Sequence, residues 1–300
     1  MLFINIIVPV FVIVFCGFLL ERYGRIELEP LTTSSLYLFA PALTLSALLR
    51  HPLQSQLLGD VLFYMLAYLV IMLVLSASVG RLLGCDGDSR RALSLSSSMM
   101  NIGNFGLPLT WFAFGEAGVP IAIVVFVIFS LPLGSLAIII AQGEGANWRT
   151  AIVNSLKIPI FHAAALAMLL QAFSIQLPPM VLRPLELMGQ AAVPLMLVLL
   201  GMQISRTRWQ WLGGFMLAGI GLRLIAGPAV GWGLCQLLHI RGLERDVLLL
   251  QTSTPAAVLP LLYALRFNTR PDLVASTIVT TTLCSAGSLT LLLYLLPKLP

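Results

Sequence analysis

The sequence has 300 residues, of which 59% are hydrophobic and only 10% charged, with a mean hydropathy of +0.98. A soluble domain carries about 25% charged residues, so a soluble fold is excluded; unbroken apolar stretches such as 4–20 and 119–141 exclude the alternating strands of a membrane barrel. The net charge is +5, but the 17 Lys and Arg are scattered between apolar segments without an aromatic-rich basic patch, which argues against a nucleic-acid partner.

Apolar runs between charged or turn-rich punctuation predict ten helical spans, near 2–20, 31–49, 60–80, 92–112, 117–140, 151–173, 184–203, 211–237, 246–265 and 273–296. The first run has no Lys or Arg before Arg22, unlike a signal peptide, and reads as a retained span. Ten spans of about 20 residues leave too little chain for a catalytic domain. No His-Glu-x-x-His, Gly-x-Ser-x-Gly or intramembrane aspartate pair points to an enzyme. Cys16, Cys235 and Cys284 lie in apolar segments and Cys85 in a polar loop, a distribution that suggests neither disulfides nor a metal site. No cofactor is expected.

Basic residues set the expected orientation. Arg22, Arg25, Arg81, Arg90, Arg91, Arg149, Arg206, Arg208, Arg266 and Arg270 fall on one side of the spans. Arg50, Arg183, Arg241, Arg245 and Lys298 fall on the other. That bias predicts both termini outside.

Prolines recur at near-constant spacing: Pro9 with Pro159, Pro41 with Pro194, and Pro108 with Pro260, offsets of 150, 153 and 152. The spacing suggests duplication of a five-helix unit, 1–145 and 146–300. An odd number of spans per unit makes the copies inverted. Matching segments of spans four and nine carry helix breakers beside polar groups: Asn101, Gly103, Asn104, Gly106 and Pro108 in one, Thr252, Ser253, Thr254, Pro255 and Pro260 in the other. Breaks there would free backbone groups near the bilayer midplane and build a central binding site.

The N-terminal sequence, Leu38-Phe39-Ala40-Pro41-Ala42-Leu43, the Asn-Ile-Gly-Asn-Phe-Gly-Leu-Pro stretch at 101–108 and Thr254-Pro255-Ala256 resemble the auxin efflux carrier family (PIN-like transporters) over essentially the whole chain. The resemblance implies the fold shared with bile acid sodium symporters: an all-α polytopic membrane protein of ten helices in two inverted repeats, helices 4 and 9 broken and crossing. It implies a scaffold from helices 1, 2, 6 and 7 (about 1–49 and 151–203) and a moving transport domain from helices 3–5 and 8–10 (about 60–140 and 211–296). It further implies a homodimer joined through the scaffold, embedded in lipid in a bacterial cytoplasmic membrane. The expected activity is elevator-like movement of a small organic anion, a mono- or dicarboxylate.

Asn101, Gly103, Asn104, Thr252, Ser253, Thr254, Lys157 and Gln190 are the candidate substrate-binding residues, with Lys157 and His162 as candidates for proton coupling. Lys157 either meets a carboxylate or reaches the interface, and His162 either carries a proton or packs. Arg223 is expected to pair with Asp60, Glu186 or a lipid phosphate. Span centres contain no Asp or Glu, so coupling to H+ or none is favoured over Na+. A sodium-coupled symporter and an anion channel are the alternatives.

Overall fold

Proline shapes these helices before tertiary packing does. In a computed structural model that describes residues 3–51, 55–143 and 146–299, four π-helical turns occur, and each ends two residues before a proline. Phe3–Ile7 precedes Pro9, Ser35–Phe39 precedes Pro41, Ile102–Gly106 precedes Pro108, and Leu222–Ala226 precedes Pro228. Proline has no N–H to donate and its ring crowds the carbonyl four residues back; widening the preceding turn moves that carbonyl aside.

The helices in chain order are α1 (Val8–Gly24), α2 (Leu28–Ser34), α3 (Ala40–Arg50), α4 (Ser55–Leu82), α5 (Gly87–Ser98), α6 (Leu107–Gly134), α7 (Leu136–Gln142) and α8 (Trp148–Leu156). They continue with α9 (Pro159–Ala172), α10 (Pro179–Arg206), α11 (Gly213–Gly221), α12 (Gly227–Leu237), α13 (Gly242–Thr252), α14 (Leu259–Phe267) and α15 (Pro271–Leu295). Asp86 caps α5 by accepting the Ser89 N–H at 2.7 Å, and this bond holds its carboxyl below the usual range.

Among the described residues, seven helices are long and apolar enough to cross a membrane: Ile4–Gly24, Leu28–Arg50, Leu57–Leu82, Ile102–Gln142, Pro179–Arg206, Gly213–Leu237 and Pro271–Lys298. The chain is a multi-pass membrane protein. The ten expected spans differ from these seven where helices are interrupted. Spans four and nine are broken at Met99–Asn101 and after Thr252. The sixth is cut at Lys157 and Ile158, ahead of Pro159. The fourth and fifth run together as Ile102–Gln142, with a kink at Gly115, whose φ of 62° and ψ of −155° suit glycine. The expected repeat boundary after residue 145 touches residues outside the described set.

Two packing groups are apparent. In one, α10 lies against α1 and α3, and α3 against α9; in the other, α4 meets α5 and α12, α6 meets α13, α7 meets α14, and α15 meets α5 and α11. On α4 a stripe of Phe63, Leu66, Val70 and Val74 is exposed while Tyr64, Met65, Tyr68 and Met72 are buried, as expected of a helix with one lipid-facing side. Lipid supplies no hydrophobic drive for helix association, so close backbone approach matters. A Cβ on Gly201 would lie 1.9 Å from the Val14 carbonyl oxygen, and one on Gly17 2.2 Å from that of Val198, so α1 and α10 touch backbone to backbone. Ion pairs pin both ends of α10: Glu186 holds Arg50 at 2.8 Å and Arg206 holds Glu21 at 2.8 Å.

Gly201→Leu is therefore expected to destabilise the purified protein by about 1–3 kcal/mol, read as a lower melting temperature in detergent. Gly233→Leu, which adds its Cβ to open space, should stay within about 0.5 kcal/mol of the parent.

Candidate functional site

Backbone groups freed by two broken helices must find partners, because the apolar interior offers no water. At the end of α5, Ser96 and Ser97 bond their hydroxyls to the carbonyls of Ala92 (2.9 Å) and Leu93 (2.6 Å), a local competition that weakens the helix. Met99 is then extended, and Asn101 has φ −84° and ψ 62°. At the end of α13, the Ser253 and Thr254 hydroxyls donate to the carbonyls of Leu249 (2.6 Å) and Gln251 (2.7 Å), and Pro255 follows. The two interruptions meet as a single antiparallel bridge, Met100 opposite Ala256. Asn101 N–H donates to the Pro255 carbonyl at 3.0 Å and Ala257 N–H to that of Met99 at 2.9 Å. Ala256 N–H turns outward to Thr281 Oγ1 at 3.2 Å. Spans four and nine thus cross through extended backbone.

The C-terminal ends of α5 and α13 bring partial negative charge to this point. Arg223, fully buried in the π-turn ahead of Pro228, meets it. Its Nε donates to the Thr254 carbonyl at 2.9 Å, one Nη to the Ser97 carbonyl at 3.0 Å and the other to the Thr252 carbonyl. The guanidinium also sits 5.8 Å from the centre of the Tyr68 ring. Tyr68 donates its hydroxyl to the Thr252 carbonyl at 3.1 Å, and Tyr64, one turn away, lies 3.3 Å from Thr252 Oγ1. Gly227 and Gly231, one turn apart on α12, make room: Cβ atoms there would fall 2.9 Å from the Tyr68 hydroxyl and 2.5 Å from Thr252 Oγ1. The expected pairing of Arg223 with Asp60, Glu186 or phosphate is corrected, since its partners are main-chain carbonyls.

On the opposite side of the bridge, the π-turn Ile102–Gly106 opens α6, and helix starts present N–H groups without intrahelical partners. Asn104 donates its amide to Gln203 Oε1 of α10 at 3.4 Å, and Phe105 meets Phe11 of α1 edge to face, so the crossing touches the other packing group through two side chains of one turn. Gly106 lies under Gln251, whose Oε1 a Cβ would meet at 2.1 Å, and Gln251 Nε2 reaches Thr110 Oγ1 at 2.9 Å. Asn101 Nδ2 and Gln251 Oε1 are buried without hydrogen-bond partners. Buried polar groups are normally paired, so these two call for an explanation. Gly103 is held against Phe126, 2.9 Å from its would-be Cβ. Pro108 and Pro260 are buried in the first turns of α6 and α14.

Not every sequence candidate gathers here. Thr252, Ser253 and Thr254 are buried at the crossing, but their hydroxyl protons are committed to their own helix. Gln190 lies thirteen positions from Gln203 on α10, about 20 Å along the axis. It lines a separate cleft with Ser46, Arg50, His51, Trp111, Glu116 and Glu186. Lys157 is exposed at the joint between α8 and α9, and His162 is exposed one turn on, 3.4 Å from the Ile158 carbonyl. A second cleft, of Glu21, Arg22, Arg25, Ser205 and Arg206, opens one turn of α10 beyond Gln203. Sequence reasoning missed Tyr64, Tyr68 and Gln251 as parts of the crossing. Their signals were present: tyrosines four apart on one helix face, and a glutamine heading the Thr-Ser-Thr-Pro run.

Two substitutions separate a shared acceptor from an orphaned donor. Thr281→Val leaves the Ala256 N–H buried without an acceptor and should cost about 1–3 kcal/mol, whereas Tyr68→Phe leaves the Thr252 carbonyl still bonded to Arg223 and should cost about 0.5–1.5 kcal/mol. Thermal unfolding followed by tryptophan fluorescence reads the difference.

The sequence is similar to known transporters along most of its length. The profile of the family described as membrane transport protein matches twice, over residues 2–151 and 146–293, so nearly the whole chain is covered by two copies of one unit. An uncharacterized transporter of Methanocaldococcus jannaschii is 26% identical over 291 residues, 93% of this chain and 94% of that protein. An uncharacterized transporter of Methanothermobacter thermautotrophicus is 26% identical over 293 residues, 95% of each chain. On these matches, and on the motifs at 38–43, 101–108 and 254–256, the chain belongs to the membrane transport protein family of auxin efflux carrier-like transporters.

Proposed function

We propose that the protein is a secondary active transporter that carries a small organic anion, a mono- or dicarboxylate, through the crossing of its two broken helices. The observation that carries this reading is the buried, unpartnered Asn101 amide beside the opening π-turn of α6. Donors at a helix N-terminus favour an anion, and Arg223 offsets the negative ends of α5 and α13 that would otherwise repel one. The paired family matches and the matched proline breaks support two inverted five-helix repeats making ten membrane passes.

The two packing groups support a scaffold of α1–α3 and α8–α10 against a transport domain of α4–α7 and α11–α15, moving as an elevator. Their contacts fit a state open to the side of Arg206. There the Asn104–Gln203 contact sits beside the basic cleft of Arg22, Arg25 and Arg206, which would concentrate carboxylates. At the far end Arg50, held by Glu186, lies 3.9 Å from Glu116 of α6, so the two packing groups also meet at the opposite end. With both termini outside, the open side is cytoplasmic. We place the protein in a bacterial cytoplasmic membrane, as a homodimer joined through the scaffold, driven by a proton gradient or by the substrate gradient alone.

Uptake into proteoliposomes, screened over mono- and dicarboxylates under separate proton, sodium and electrical gradients, tests the proposal. Saturable carboxylate flux that needs the protein is expected, and transport of cations alone contradicts it. Asn101→Ala should raise the KM about 10–100-fold, the worth of one hydrogen bond to a charged group, while leaving the melting temperature near that of the parent.

A further inference from the structure

A membrane protein that buries a full positive charge must balance it. Among the described residues, Arg223 makes no salt bridge with a carboxylate; its three nitrogens are taken by three main-chain carbonyls from the ends of two helices. Each helix C-terminus carries about −0.5 of an elementary charge, so two of them sum to about −1. That matches one monovalent cation. Carbonyl oxygens converging from separate segments, with the Tyr68 ring beside them, are donors of the kind that bind alkali cations. Glycines at 227 and 231 keep α12 close enough for the guanidinium to enter it.

We infer that the C-terminal ends of α5 and α13 form a monovalent cation site whose occupant is the protein's own Arg223 side chain. The charge is tethered. It rises and falls with the crossing and is never exchanged with either compartment. The cage therefore has no vacancy for a sodium or potassium ion, and in the transporter read above the substrate moves without an alkali cation bound here. This consequence for coupling rests on the proposed function; the cation cage itself does not.

Thermal unfolding of the full-length protein in detergent tests the cage without any substrate. The parent should melt at the same temperature in sodium, potassium and choline chloride of equal ionic strength. Arg223→Ala should melt lower, by on the order of 5–10 °C. Low-millimolar guanidinium or methylguanidinium should restore much of that loss saturably, as should sodium or potassium but not choline. If the alanine variant does not fold, Arg223→Lys carries the test: its ammonium should support folding and remain indifferent to alkali cations. A parent stabilised saturably by sodium or potassium over choline would overturn the inference. So would an alanine variant that melts like the parent, one that no small cation restores, or a lysine variant that unfolds like alanine. In proteoliposomes, carboxylate flux by the parent should be unchanged when choline replaces sodium on both sides. Sodium-dependent flux with the stability results intact would overturn the coupling consequence alone, and absence of carboxylate flux would count against the transport reading and leave the cage standing.

Discussion

Unsatisfied backbone in an apolar interior is the constraint on which this molecule turns. Two helices stop midway through the bundle, and each stop exposes carbonyls on one side and N–H groups on the other. The carbonyl ends are closed by Arg223, and the extended links are closed by pairing Met99–Asn101 with Pro255–Ala257. What is left over is a set of donors facing away from the arginine.

Helix geometry upstream serves the same end. The π-turns that hold Asn104 and Arg223 each end two residues before a proline, so the helix is widened where these side chains leave it. The other two, ahead of Pro9 and Pro41, lie in the packing group of α1, α3, α9 and α10. There the glycines at 17, 189 and 201 bring backbones into contact, giving a stiff body whose ends are tied by Arg50–Glu186 and Glu21–Arg206. Against it the crossing sets Asn104 on Gln203 and the Phe105 ring edge-on to Phe11 of α1, centroids 6.0 Å apart.

Much of this was legible in the sequence, and the remainder has identifiable reasons. Membrane class followed from charge scarcity, and the two breaks from Asn101, Gly103 and Pro108 against Thr254, Pro255 and Pro260. The family profile matches in two stretches, 2–151 and 146–293. Seven of the described helices are long and apolar enough to span, against ten expected, because helix breakers shorten the fourth, sixth and ninth segments. The partners of Arg223 were illegible, since main-chain carbonyls are the same in every sequence and only the fold gathers three of them. Gln190 was drawn to the site by its polarity, although its thirteen-residue distance from Gln203 on one helix already separates the two. Lys157 and His162 stood out as polar groups in an apolar run, but the break at Lys157–Ile158 leaves both exposed.

Hydrogen–deuterium exchange of the protein in lipid nanodiscs, with and without a transported carboxylate, tests the crossing as the substrate site most directly. Substrate should slow exchange in two segments at once, 99–106 and 252–258, while the cleft of Arg50 and Gln190 is unchanged. Protection confined to that cleft, with the two segments unaffected, would contradict it.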